Sequence, residues 1–577
     1  MKIKYLDKRG ISLIVLVITI VVIVVLAVAV ILSIANNNPI GNAKEARFKN
    51  DLKAIEEELN LYILKEYSNS LGENNGVNLA GDTLSNTLSS AKEYKDKVEI
   101  INGKMYVVKS KLSSEEIEWA KELEIEGFEY GTNGNTETNV AKVNEPELLT
   151  GMTPITFDTQ GEAVNTTKND SNWYAYIDQG TYKTDGKTSK WANAQTKDGS
   201  EWVWIPRYAY KIKNPGTSTA SEIEVIFLKG TTNTYEDENG ELKNLPEGYN
   251  VHPAFTNESS INYANGGWDR ELTGIWVAKY EAGFAGVGDI AEKTTVKESD
   301  LTYTGTYSNT SNVNGNIESG TTKITYPVFM PNAYSYNYIN IGDAYAICRK
   351  IGEEGNPYGI QSNETHLMKN SEWGAVAYLT QSKYGRNGNE ITINSKSINI
   401  NINSGLSAET GYGNGANDKY NTENGQLAST TGNLYGIYDI SGGIWEISSG
   451  YLDNDHPNLI AYGKSMLDLN KDKKVDKIQS KYISIYNVGT SDTKVDNYNE
   501  SINKKRIGEG IWETSGGSDG ATSWFGDSSI FIFSSSAFIS RGGYFNNGSS
   551  TGAFSFCGSA SGQAGDYIGF RAVLVSL

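Results

Sequence analysis

The sequence predicts an α+β protein in which an N-terminal transmembrane and stalk helix leads into a large, loop-rich domain. Three observations predict it. An apolar run from Ile11 to Ile34 follows a short basic leader. Apolar residues then recur at helical spacing through Phe48, Leu52, Ile55, Leu59 and Tyr62, with Lys, Glu and Asp between them. From Thr150 onward the texture changes to short apolar stretches broken by Gly, Asn, Ser and Thr, as in short strands and loops.

The leader, residues 1–10, carries Lys2, Lys4, Lys8 and Arg9. The run 11–34 would form a helix of about 36 Å, enough to cross a bilayer core of about 30 Å. The basic leader holds the N-terminus inside, so the expectation is a single-pass protein of the cell membrane with an extracellular C-terminal domain and membrane lipid around residues 11–34. Pro39 ends or kinks that helix. Residues 35–67 form an amphipathic stalk helix packed on its own domain. Residues 68–149 form a small head or linker that mixes strand-like MYVVKSKL with helical SSEEIEWAKELEI.

Within 150–577, EWVWIPRYAYKI (201–212) and GIWVAKYEAGF (274–284) alternate aromatic and polar positions, as half-buried strands do. NIGDAYAICRKIGEE (340–354) reads as an amphipathic helix burying Ala344, Ile347, Cys348 and Ile351. NLYGIYDISGGIWEI (433–447) reads as a strand pair around a Gly-Gly turn.

Composition excludes several functions. A net charge of −18 argues against nucleic-acid binding, which needs a basic face. Two Cys and three His, in no metal-ligand spacing, leave no zinc scaffold. Asp468, Asn470, Asp472 and Asp476 have calcium-loop spacing, but Lys473 stands at the sharp turn and Gln479 at the bidentate acid position, so the stretch reads as a charged loop. No metal, cofactor or catalytic residue is assigned.

Two resemblances add to this. Lys8-Arg9-Gly10 before Ile11-Ser12-Leu13-Ile14 resembles the cleavage site of type IV prepilins. The resemblance implies cutting after Gly10 by prepilin peptidase, methylation of Ile11, and other pilin-like subunits as partners. Val15 stands where that family carries Glu, which leaves filament assembly open. In the large domain, Trp204–Pro206, Val277–Glu281, Asp343–Cys348, Glu372-Trp373, Gly436–Glu446, Arg541–Gly543 and Gly569–Arg571 resemble, in order, the signature segments of formylglycine-generating enzymes. Those enzymes have a variant C-type lectin fold; Gly443 replaces their Asn. Their copper is held by two Cys five residues apart after Arg-Gly-Gly; here the positions are Asn547 and Gly552, so the resemblance does not carry the oxidase activity.

The end of the chain, RGGYFNNGSSTGAFSFCGSASGQAGDYIGFR (541–571), is similar to the variable segment of proteins diversified by retroelements, with Thr551 in place of an Ala. That implies a surface rewritten at template adenines. Tyr, Ser, Asn and Gly suit such a surface, as they do antibody paratopes. Gly542-Gly543 and Ile568-Gly569-Phe570 are expected in the sheet, with Phe545 and Phe554 inward. Tyr544, Asn546, Ser549, Ser550, Ser555, Cys557, Asp566 and Tyr567 are then the residues expected to face an extracellular ligand, protein or glycan. The function expected is a pilin-like, membrane-anchored binding protein. The alternatives are a structural pilin subunit without a specific ligand and a formylglycine-generating oxidase.

Overall fold

Pro39 opens the first helix of the computed structural model, Pro39–Asn69, where its missing N–H costs nothing. The structure describes residues 39–69, 79, 81–101, 104–108, 111–123, 125, 127–128, 140–179, 188–237, 239–260, 266–284, 326–337, 339–362, 364–401, 405–415, 418–467 and 480–576. Gly10, Ile11, the 11–34 run and the acidic loop 468–476 lie outside them.

The expected transmembrane fold and single-pass membrane localisation are corrected. Among the described residues no helix is long and apolar enough to cross a membrane. The 31-residue Pro39–Asn69 helix has the length, but Lys, Arg, Asp and Glu recur from Lys44 to Glu58, and its apolar seam is already occupied. Phe48, Leu52, Ile55 and Leu59 are buried against Leu84, Leu88, Val98, Ile100, Met105, Val107 and Ala120 of the first unit.

That unit, ending at Thr132, has the antiparallel strands Val98–Ile101 and Lys104–Val108, with Gly127–Phe128 added in parallel. Its Ser114–Glu122 helix starts in a capping box. Ser113 Oγ accepts the Glu116 N–H at 3.2 Å, and the Ser113 N–H reaches Glu116 Oε2 at 2.8 Å. The second unit runs from Asn133, so residues 140–149, assigned to the linker from sequence, belong to the large domain. They are held there by ordinary packing. Val140 bridges Ile177, and the Asn144 amide donates to Gly230 O and Thr273 O, each at 2.9 Å.

The large unit is built on two sheets. The first has seven strands in the order His366–Leu367, Ala572–Leu574, Gly274–Ala278, Glu201–Pro206, Asn193–Gln195, Thr153–Phe157, Ala163–Asn165. The second places Trp445–Leu452 between Ser484–Tyr486 and Phe538–Arg541, continues through Phe556–Ala560 to Ser529–Ile530, and adds Ile568–Phe570 in parallel to Trp445–Ile447. Arg571 alone separates Ile568–Phe570 from Ala572–Leu574, so the chain crosses from one sheet to the other at this residue.

The strands at 201–206 and 274–278 are buried along their whole length, not on one face as the alternation suggested. Indoles allow this, because each is apolar yet carries a single donor that a nearby carbonyl can satisfy. Trp173, Trp204, Trp268, Trp276, Trp373 and Trp524 are fully buried and donate to backbone oxygens at 2.6–3.3 Å.

Two helices cover the sheets. Ile341–Lys350 is capped by Asn340, whose Oδ1 accepts the Asp343 N–H at 2.8 Å, and buries Ala344, Ile347 and Cys348. Asn370–Gln381 is buried throughout. The expected strand pair at 433–447 is half right: Trp445–Leu452 is a strand, whereas the segment before Gly442 is a chain of turns. Its backbone bonds other segments singly, without a ladder: the Tyr438 N–H donates to Lys279 O at 2.8 Å, and Ile437 O accepts the Thr430 N–H at 2.9 Å. Asp439, at φ 63°, accepts from Asn394 Nδ2 at 2.8 Å and from the Gly411 N–H at 3.0 Å.

Candidate functional site: the C-terminal loop

The candidate face begins where the Phe538–Arg541 strand ends. Arg541 is wholly buried and ties its strand to the backbone at Glu509-Gly510 and at Ser555. Its Nε donates to Ser555 O at 2.9 Å, Nη1 to Glu509 O at 2.8 Å and Nη2 to Gly510 O at 3.0 Å; Nη1 also lies 3.3 Å from Asn370 Oδ1. Burial pulls its pKa down to about 10. The following Gly542-Gly543 pair is not sheet, as expected from sequence, but a left-handed bend with φ values of 83° and 77°. The bend throws the next residues outward.

Tyr544 to Thr551 close on themselves. The Tyr544 N–H donates to Asn547 Oδ1 at 3.1 Å, and its carbonyl accepts from the Asn547 N–H at 2.9 Å and the Thr551 hydroxyl at 3.2 Å. Asn547 is thus committed to the loop's own geometry. Phe545 points inward onto Ala408 and Ile444, and its N–H donates to Gly443 O at 2.9 Å. Gly443 has φ 69°, and a Cβ there would come 2.7 Å from Glu281 Oε2.

The far side is pinned more firmly. The Trp373 indole donates to Ala553 O at 2.7 Å. Phe554 packs against Trp524 at 5.1 Å, and its N–H donates to Asp527 Oδ2 at 2.9 Å. Burial pushes the Asp527 carboxyl well above its ordinary range. Gly552 lies directly against that carboxylate and leaves no room for a Cβ.

Two expected contact residues are therefore corrected. Ser555 is fully buried, its hydroxyl donating to Ser550 O at 2.7 Å. Cys557 is buried inside the Phe556–Ala560 strand, paired with Ser540 on one side and Ile530 on the other. Small polar residues serve here for close packing between two strands. Asn546 and Ser549 are exposed, and Tyr544, Ser550 and Asp566 are half-buried. Tyr567 is 45% exposed.

Tyr567 and Tyr544 come together although 23 positions separate them: their ring centres lie 5.3 Å apart with planes at 30°. Each is fixed through its backbone. The Trp445 N–H donates to Tyr567 O at 2.9 Å, and the Asn337 amide donates to the neighbouring Asp566 O at 2.6 Å. The two rings form an aromatic pair whose backbones are held at Asp566 and Tyr567 on one side and at Asn547 on the other. Nothing in the sequence points to Asn337, Ile444 or Trp373 as supports of the loop, which they reach through Asp566 O, the Phe545 ring and Ala553 O.

Neither Cys is placed for copper chemistry. Cys348 is buried in its helix, where burial pushes the thiol well up, and Cys557 is buried in its strand. Among the described residues no group of three or more His, Cys, Asp or Glu is arranged to hold a metal ion. The buried acids Glu281, Asp439 and Glu446 are occupied by Ser335, Ile444, Gly411, Asn394 and Arg571. A scan against protein-family models finds no match to the chain, and a search of curated proteins finds no relative.

Proposed function

We propose that residues 133–577 form a binding module of the formylglycine-generating-enzyme-like, C-type-lectin-like class, which recognises a protein or glycan through its C-terminal loop and does not carry the oxidase chemistry. The observation that carries this reading is the platform of Tyr544 and Tyr567: exposed aromatic area on a loop whose ends are buried. Aromatic rings held in one orientation lose little entropy on binding and supply large contact area. The signature segments support the class. Arg571 reaches Glu446, Ala278 O and Tyr438 O, so the segments at 277–281, 436–446 and 569–571 meet in one buried network. Asn547 and Gly552 at the copper positions, with both thiols buried, favour binding over oxidation.

Comparison of the locus in sister isolates tests the proposal. Replacements are expected at Tyr544, Asn546, Ser549, Ser550, Asp566 and Tyr567, traceable to adenines of a near-copy beside a reverse transcriptase. Differences spread evenly over the domain, without such a copy, would contradict a diversified recognition face.

A further inference from the structure

We propose that a cleft of about 290 Å³ beside Arg207 binds a small sugar acid, with the carboxylate of that ligand held by Asn233, Asn250 and Lys505. The argument starts from Arg207, at the break between the Glu201–Pro206 and Tyr208–Ile212 strands, which belong to different sheets. Its guanidinium is buried and already engaged. Nη1 donates to Phe255 O at 2.8 Å and pairs with Glu271 Oε2 at 2.7 Å, while Nε donates to Thr232 O at 3.3 Å.

Its Nη2 donates to Asn233 Oδ1 at 3.0 Å. A guanidinium only donates, so this bond fixes which way the Asn233 amide faces: the oxygen turns to Arg207 and the two N–H groups are left for the cleft. The Asn250 amide and the Lys505 ammonium also line the cleft, and among the described residues neither side chain has a partner. Against the acceptors that remain, the Asn250 amide oxygen and Glu271 Oε2, which pairs with Arg207 Nη1 but accepts no hydrogen bond, the Asn233 and Asn250 N–H groups and the Lys505 ammonium weight the cleft towards donors.

The charge balance points the same way. Glu271 does not repel an anion in full, because Arg207 neutralises one oxygen and the other accepts from the Asn257 N–H at 2.9 Å and the Ser260 hydroxyl at 3.2 Å. Lys505 then leaves the cleft one positive charge, in a chain whose net charge is −18. Donors plus a cation select a carboxylate. Tyr249 also lines the cleft, its hydroxyl on Glu224 and its ring centre 5.8 Å from Lys211 Nζ. A flat ring near the amide that Arg207 holds suits a pyranose, and the volume suits a single one.

The test is calorimetric titration of the full chain with glucuronate, glucose and acetate. Glucuronate is expected to bind at least tenfold more tightly than either of the others. Lys505→Glu and Asn233→Asp, both at exposed positions, should each weaken it at least tenfold with little change in the unfolding midpoint. Tyr567→Ala should leave it unchanged, which separates this cleft from the C-terminal face. The proposal is overturned if glucuronate does not bind at millimolar concentration, if glucose binds equally well, or if Lys505→Glu and Asn233→Asp retain full affinity.

Discussion

Arg571 and Glu446 meet at the crossing between the two large sheets. The guanidinium donates through Nε to one carboxylate oxygen at 2.9 Å and through Nη2 to the other. Both side chains are sealed from solvent. Burial pushes the Glu446 carboxyl up to about 7, against the pull of Arg571. Arg571 also donates to Ala278 O at 2.7 Å and Tyr438 O at 2.9 Å, so one side chain joins three distant segments. Arg571→Met should cost about 3 kcal/mol or more, since it strands a buried acid and two carbonyls. Urea unfolding measures this; a loss within about 0.5 kcal/mol, the range of an ordinary surface change, would show that the junction is held elsewhere.

The C-terminal segment should divide sharply into fixed and replaceable positions. Gly552→Ser drives a side chain into Asp527 and is expected to cost about 3 kcal/mol, the upper range for overpacking a core. Asn546→Ala, at an exposed position, should stay within about 0.5 kcal/mol. Thermal unfolding of the two variants measures the contrast, and equal effects would contradict the loop's described anchoring.

Stability should fall in mild acid through His252. Its ring is buried among Tyr208, Tyr210, Phe255 and Tyr378, with centres 5.2–5.9 Å away, and burial lowers its pKa from 6.5 to about 3. Below pH 6.5 the unfolded chain gains a proton that the folded ring refuses until about pH 3. The contribution is therefore complete above pH 6.5 and lost as pH falls. At pH 4.5 the loss from this group is about 3 kcal/mol. His252→Gln should remove that part of the slope between pH 7 and 4.5, whatever its absolute stability; an unchanged slope would mean the ring titrates normally.

What the sequence made legible was helical periodicity. The apolar seam of the Pro39–Asn69 helix was legible because a helix packed on one side repeats at 3.6 residues. The burial of Ser555 and Cys557 was not. A hydroxyl that finds a backbone carbonyl can be buried at little cost, so Ser carries no mark of exposure in the sequence. Nor was the meeting of Tyr544 and Tyr567, which depends on the Gly542-Gly543 bend and on the parallel pairing of Ile568–Phe570 with Trp445–Ile447. The 433–441 turns leave no pattern in the sequence, because their backbone bonds reach single distant partners such as Lys279 O.

The central claim is that the tyrosine pair forms a recognition face, and a binding screen tests it most directly. The full chain and a Tyr544→Ala/Tyr567→Ala variant are passed over a glycan array and a displayed peptide library, with circular dichroism confirming that both are folded. The account predicts that the unsubstituted chain retains a specific set of ligands and that the double variant binds them at least tenfold more weakly, at an unchanged unfolding midpoint. Retention of the same ligands with undiminished affinity by the double variant, or no retention by the unsubstituted chain beyond that of the variant, would contradict it.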